Sequence, residues 1–216
     1  MVGQLPPNLN AVFFNNEEAG RKVGLRLYQT ALGATSHDLS VGGKALYEPR
    51  YKAVLGGHTI DVIHRPGMTT AFVEGVLRSN NYGLIAFNTL AKIDGFGKLE
   101  GADRMQAVGA WARKIADDYG VVFAVHQADN TAEGVEWMDQ SQLYGSKTGL
   151  QGESDVQLMI GKSSNPAKGD VRYLSVVRNK MPGGPRTDPL LKYLRAEVAF
   201  DWQTGRFTSL SFKGKP

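Results

Sequence analysis

The stretch Tyr119-Gly-Val-Val-Phe-Ala-Val-His-Gln-Ala-Asp-Asn130 sets the reading of the whole chain. Val121 to Val125 is a continuous β-branched and aromatic run, with Gly120 before it and polar residues after it. A run that is apolar on both faces suits a strand buried inside a parallel sheet better than one lying half in solvent. His126 and Gln127 follow, where such a strand emerges. Ligands of open α/β sheets bind beyond the carboxyl ends of the strands, so these two side chains stand where chemistry is expected. They equally suit the plainer task of satisfying local backbone groups.

Working outward, the run is fed by the best helix in the sequence. Over Asp103–Tyr119, the residues Met105, Val108, Ala112, Ile115 and Tyr119 recur at steps of three and four. Earlier strands are expected at 11–14, 59–63 and 83–87, and helices at 19–32 and 70–78. Gly33 is a C-terminal stop for the first helix, and a further helical piece lies near 46–55, interrupted or started by Pro49. The loop 94–101 is rich in glycine. After residue 125 strands dominate, at 156–160, 173–177, 195–200 and 207–212. This alternation predicts an α/β fold: a mostly parallel sheet with flanking helices and a β-rich C-terminal part. No internal repeat and no Pro-, Gly- or Ser-rich linker divides the chain, so residues 1–216 read as a single domain.

Composition narrows the class. The chain has 216 residues, 42% hydrophobic and 21% charged, the balance of an ordinary globular protein. No apolar run approaches the roughly 18 residues of a membrane span, and the N-terminal residues do not resemble a signal peptide. The absence of cysteine excludes disulfides and thiolate zinc sites and agrees with a cytoplasmic setting. Residues 161–216 carry 11 Lys and Arg against 4 Asp and Glu, whereas residues 1–160 carry 14 against 17. A basic last quarter points to an anionic partner, nucleic acid first among them, or to a solvated basic face.

Polar groups gather at the ends of the expected strands: Glu17 and Glu18 after the first, Asn88 after the third, Gln127 after the fourth. A carboxylate can orient or deprotonate an attacking water, and a Gln amide can donate to a phosphate while holding a water. Arg178-Asn-Lys180 closes a later strand. Cations two residues apart on an extended chain point the same way, so both can face one anion.

With these residues in view, the chain resembles the DnaB-like replicative helicases of bacteriophages, RecA-fold ATPases. The segments 127–137 and Tyr144-Gly-Ser-Lys-Thr-Gly-Leu-Gln-Gly-Glu-Ser-Asp155 carry the resemblance most specifically. It is supported by Phe14-Asn-Asn-Glu-Glu18, Leu84–Ile93, Val171–Lys180 and Arg195–Asp201, and it runs from about residue 11 to 207. It implies a RecA-like three-layer core, Mg-ATP as cofactor, single-stranded DNA as partner, a hexameric assembly, and the host cytoplasm as location. It also implies roles. Glu17 falls where the family has its water-activating carboxylate, with Glu18 beside it. Gln127 falls at the sensor that links the γ-phosphate to the DNA-binding loops. Arg178 and Lys180 match the pair that reaches a neighbour's nucleotide, although many relatives have Lys and then Arg. Segments 128–147 and 181–193 match channel-lining loops, which makes Lys147, Arg186 and Lys192 candidates for phosphate contacts. Trp137 is a candidate for stacking on a base, or for packing beneath its loop as an apolar anchor.

Two departures stand against the resemblance. No G-x-x-x-x-G-K-[ST] occurs, and the sequence begins where the family's second core strand begins, so the P-loop that cradles phosphates is missing. Asn88 occupies the position of the family's Walker B Asp. Its neutral amide could hold a metal ion only weakly, through water. The expectation is therefore that this chain alone binds no Mg-ATP tightly and remains a monomer or weak oligomer. Whether it is an enzyme is left open. It is either a helicase motor domain whose P-loop segment is supplied separately, or a degenerate RecA-fold protein that binds DNA or assembles without hydrolysing ATP. A RecA-type recombination ATPase is a more distant alternative.

Overall fold

The computed structural model describes residues 2–143, 149–181 and 194–214, and leaves the side chains of 149, 151 and 211–214 aside. The chain groups into two compact units. One comprises 1–100, 110–126 and 203–205, and the other 101–109, 127–202 and 206–216.

The first unit is built on four parallel strands, β1 (Asn10–Asn15), β2 (Ile60–His64), β3 (Tyr82–Asn88) and β4 (Val121–Ala124), in the order β2-β1-β3-β4. Helices α1 (Gly20–Leu32), α2 (Ser36–Val54), α3 (Thr70–Arg78) and the later part of α4 (Gly101–Tyr119) connect them. Both faces of β1 and β3 are buried: Val12, Phe14, Ile85 and Phe87 are at most 1% exposed. Phe14 and Phe87 stack with centroids 5.3 Å apart, and Trp111 of α4 tilts against Phe87 at 5.6 Å. Val73 and Leu77 of α3 complete the apolar packing. α1 ends as expected, on Gly33 at φ 63° with its N–H bonded to the Gln29 carbonyl.

Two expectations need correction here. The apolar run from Val121 is not enclosed by strands on both sides, because β4 is the outer strand of this sheet. Val121, Phe123 and Val125 are 55%, 47% and 52% exposed. Apolar continuity reports the character of a strand's two faces, whereas its lateral neighbour is set by topology. The second correction concerns α2, which starts ten residues before the expected piece. Thr35 caps it, its side chain accepting from the Asp38 N–H while Asp38 bonds back to Thr35. The helix breaks at Gly43, φ 67°, which is why its early half lacks a single continuous apolar stripe. Pro49 lies inside it rather than at its start.

At the entry to β3, the Tyr82 hydroxyl donates to Asp61 Oδ2 at 2.7 Å. Burial, then this bond to a carboxylate, pushes the Tyr82 phenol up to about 12. Because an unfolded tyrosine titrates near about 10, the folded state holds this proton more tightly. The associated stability is complete below about pH 10 and is lost as pH rises from there to about 12. Tyr82→Phe should remove that component. The stability difference between parent and variant, read from urea midpoints, should shrink across this window; a constant difference would sink the assignment.

The second unit holds a separate antiparallel sheet, β5 (Val156–Gly161), β6 (Val171–Asn179), β7 (Leu194–Asp201) and β8 (Arg206–Gly214), in that order. The expected β-rich end is thus a sheet of its own. The segment before it, 128–143, makes two short 3-10 turns. Their Asp129 and Asp139 side chains accept from the N–H groups of Thr131 and Ser141. The backbone of Val135 and Glu136 lies directly against Gly161, and Lys162 N–H donates to the Val135 carbonyl at 3.2 Å. Lys168 pairs with Glu136 at 2.9 Å. The Tyr173 hydroxyl and this carboxylate raise the Lys168 ammonium, while Lys168, ahead of Ser163, lowers Glu136.

Candidate functional site

Parallel register brings three polar residues to the same rung at the carboxyl end of the first sheet. Asn15 pairs with His64 on one side and with Asn88 on the other. Asn15 is 0% exposed, so its amide must be satisfied from within. Its Oδ1 accepts from the N–H of Glu17 at 3.4 Å, the N–H of Glu18 at 3.3 Å, and Nδ2 of Asn88 at 3.4 Å. Its Nδ2 donates to the Glu18 carbonyl and lies 3.2 Å from His64 Nδ1. This arrangement makes His64 Nδ1 the acceptor and places the ring proton on Nε2. Asn15 therefore holds the turn bearing both glutamates.

Asn16 ties the same turn to the residue after β3. Its Nδ2 donates to the Thr89 carbonyl at 3.0 Å, and its Oδ1 accepts from Thr89 N–H at 2.7 Å. The Asn88–Thr89 peptide is cis. α1 starts tight against this row, because a Cβ on Gly20 would stand 3.0 Å from that of His64.

Of the residues expected to do chemistry, Glu17, Glu18 and Asn88 come together here. Glu17 is engaged by Lys92, from the 3-10 turn after β3, at 2.7 Å, and Glu18 pairs with Arg26 of α1 at 2.7 Å. Lys92, Asn15, Asn16 and His64 were not singled out in the sequence. The signal was available for Asn15, Asn16 and His64: polar residues that end or directly follow apolar strands. Asn88, expected to reach a metal ion through water, directs its amide at Asn15. Among the described residues there is no cluster of three His, Cys, Asp or Glu that could hold a metal ion.

The other candidates lie in the second unit. Gln127 is exposed. Arg178 sits near the end of β6 with Nε buried and without a hydrogen-bond partner among the described residues. Lys180 follows the strand, its N–H bonded to the Asp155 carbonyl at 2.7 Å and its ammonium bonded to the Gly152 carbonyl. Trp137 is half-buried, edge-on to Tyr173 at 4.9 Å, with the Arg195 guanidinium 5.3 Å above its ring. Lys147, Arg186 and Lys192 lie outside the described residues.

Comparison with solved structures places this architecture. The ATPase domain of one DnaB-like helicase matches at TM-score 0.70 and 14% identity, over 94% of this chain and 75% of that one. A second DnaB-like replicative helicase, solved in work on its interactions with primase, matches at TM-score 0.66 and 13% identity. That match covers 94% of this chain and 52% of the helicase. The chain has a RecA-like α/β fold. No protein-family model matches it, and neither does any curated protein sequence. In this fold the carboxyl ends of the parallel strands, where the Asn15 row and its glutamates stand, are the expected ligand side. Among the described residues no helix is long and apolar enough to cross a membrane.

Proposed function

We propose that the chain is the RecA-fold motor portion of a DnaB-like replicative DNA helicase of phage type. When complete, such a motor couples ATP hydrolysis to movement along single-stranded DNA and to duplex unwinding. The observation that carries this reading is the match of 94% of the chain to a solved helicase ATPase domain. The glutamate turn on the ligand side of the parallel sheet supports it. In this proposal residues 1–216 act as one functional domain, Glu17 faces the hydrolytic water, and Gln127 senses the phosphate. Arg178 and Lys180 serve a neighbour's nucleotide in a hexamer, and the protein works in the host cytoplasm.

The donors at the end of the parallel sheet do not fit direct ligation of Mg²⁺. Asn88 offers a neutral amide already bonded to Asn15, and the nearest carboxylates are paired with Lys92 and Arg26. A hard divalent cation needs oxygen ligands with more charge than these supply. The same pairing favours a second reading, a RecA-fold DNA-binding or assembly protein that no longer hydrolyses ATP. The two separate in one experiment: ATP hydrolysis and strand displacement by the chain alone, and with whatever coding sequence lies upstream included. Turnover in the second case alone supports the motor reading, and none in either supports the degenerate protein.

DNA contact is tested through the basic loop residues. Phosphate-dominated binding by a single chain should be weak, on the order of 10⁻⁴–10⁻⁶ M near physiological salt, and should fall steeply as salt rises. Replacing Lys147, Arg186 and Lys192 together by Ala should lower affinity for single-stranded DNA and flatten the salt slope. Equal binding across a salt series would mean that the basic quarter is only a solvated face.

A further inference from the structure

One face of the antiparallel sheet carries a cavity that the residues assigned above leave unused. Tyr173 and Ser175 are two residues apart on β6 and so share this face, and Arg195 stands opposite Ser175 on β7. The segment from Trp137 covers it, Trp137 against Tyr173 and Arg195 over Trp137. Beside these rings lies a cavity of about 330 Å³ whose lining includes Met138, Asp139, Gln140, Ser175, Val177 and Arg195. β6 has an irregular register here: Gln157 pairs with Arg178 but Leu158 with Val176, so Val177 is the extra residue. Such bulges re-aim side chains and often border binding sites.

Ser175 is 2% exposed, yet its hydroxyl meets no hydrogen-bond partner among the described residues. Buried hydroxyls are rarely left so. The polar groups around it are mixed in sign and type. Arg195 donates, Asp139 accepts, and Gln140 and Ser175 do both. The wall between them is apolar, from Met138 and Val177. A phosphate is disfavoured by the Asp139 carboxylate, and a simple cation by Arg195. What suits such a lining is a flat, neutral ring bearing donors and acceptors along its edge. The volume is at the small end for ligand pockets, enough for one ring system rather than a large ligand.

We propose that this cavity binds a nucleobase. The base reaches it either from single-stranded DNA or from a free nucleotide. Only the DNA source rests on the functional reading above; the pocket itself stands without it. In either case the edge of the base supplies the partner that the Ser175 hydroxyl lacks, and Arg195, already lying over an aromatic ring, caps the base plane.

The test begins with free nucleosides, which carry no phosphate. Adenosine, guanosine, cytidine and thymidine are titrated by calorimetry or ligand-observed NMR against the parent, Ser175→Ala and Gln140→Leu. At least one nucleoside should bind the parent, and Ser175→Ala should raise its dissociation constant about tenfold, the worth of one hydrogen bond. The melting temperature of Ser175→Ala should stay level or rise, because no protein bond is lost. A hydroxyl with a purely structural role would lower it. Gln140→Leu should weaken binding in the same direction, which gives a second reading should Ser175→Ala not fold.

A second arm compares an oligonucleotide with an abasic strand of equal length. Preference for the strand with bases, reduced by Ser175→Ala, assigns the base to DNA. Equal binding of the two strands, with nucleoside binding intact, assigns it to a free nucleotide. Nucleoside binding without any binding of single strands leaves the pocket standing and counts against the helicase reading. Absence of nucleoside binding, or binding unchanged in both variants, overturns the proposal.

Discussion

Gly161→Ala should destabilise the second unit by about 3 kcal/mol or more, at the upper end of overpacking effects. A Cβ there would stand 2.0 Å from the Glu136 carbonyl oxygen and 2.5 Å from that of Val135. Both are backbone atoms, so no rotamer relieves the clash. Segment 135–136 would have to lift from β5. The Lys162-to-Val135 bond, the Trp137–Tyr173 contact and the Lys168–Glu136 pair would go with it. Gly24→Ala is the matched control. Gly24 lies inside α1 with nothing within 4 Å of a new Cβ, so the same change should stabilise by about 0.5–1 kcal/mol through helix propensity. The measurement is the urea midpoint of each variant. A Gly161→Ala midpoint within error of the parent would mean that segment 128–143 does not lie on β5 as described.

Asn15→Leu is expected to cost about 3 kcal/mol and to displace both glutamates. Leu fills a similar volume but satisfies nothing. It strands the N–H groups of Glu17 and Glu18, the Asn88 amide and the Glu18 carbonyl in a place closed to water. Each unsatisfied buried group typically costs about 1–3 kcal/mol, less where the turn can relax outward. Asn15→Asp separates donor from acceptor. It keeps an oxygen for the three donors but loses the amide hydrogens that served the Glu18 carbonyl and His64. Its defect should ease as pH falls and a proton becomes available between the new carboxylate and His64. Thermal melts at pH 5 and pH 8 read both variants. A pH-independent loss in Asn15→Asp, equal to that of Asn15→Leu, would mean that the hydrogen-bond network does not hold the turn.

Local chemistry made much of the fold legible. α3 at Thr70–Arg78 falls on the residues that periodicity picked out, and α1 stops at the glycine expected to stop it. The strands also fall where apolar runs placed them, within a residue or two. Legibility failed where the deciding interaction lay outside the local window. The first half of α2 hides behind a capping box and a kinked glycine, and neither produces apolar periodicity. The outer position of β4 depends on which strand lies alongside, and a sequence run cannot carry that information. The candidate site divides the same way. Glu17, Glu18 and Asn88 could be named because their side chains advertise chemistry. Asn15, which positions them, reads as an ordinary turn residue until register sets it opposite His64 and Asn88. Lys92 acquires meaning only once the turn after β3 brings it to Glu17.

That register limits how this chain can change in length. The polar row exists because β1, β2 and β3 count the same number of residues to their last rung. Side chains alternate with a period of two, so one residue inserted into or deleted from any of these strands turns everything beyond it to the opposite face. A deletion within 11–14 would bring a different residue to the rung facing His64 and Asn88. It would spoil the burial of Phe14 against Phe87 in the same stroke. Growth and loss are therefore confined to connections such as 94–100, where added residues leave the count untouched. Descendants of this sequence can lengthen their loops freely, but the strands that present the glutamates must be inherited at fixed length.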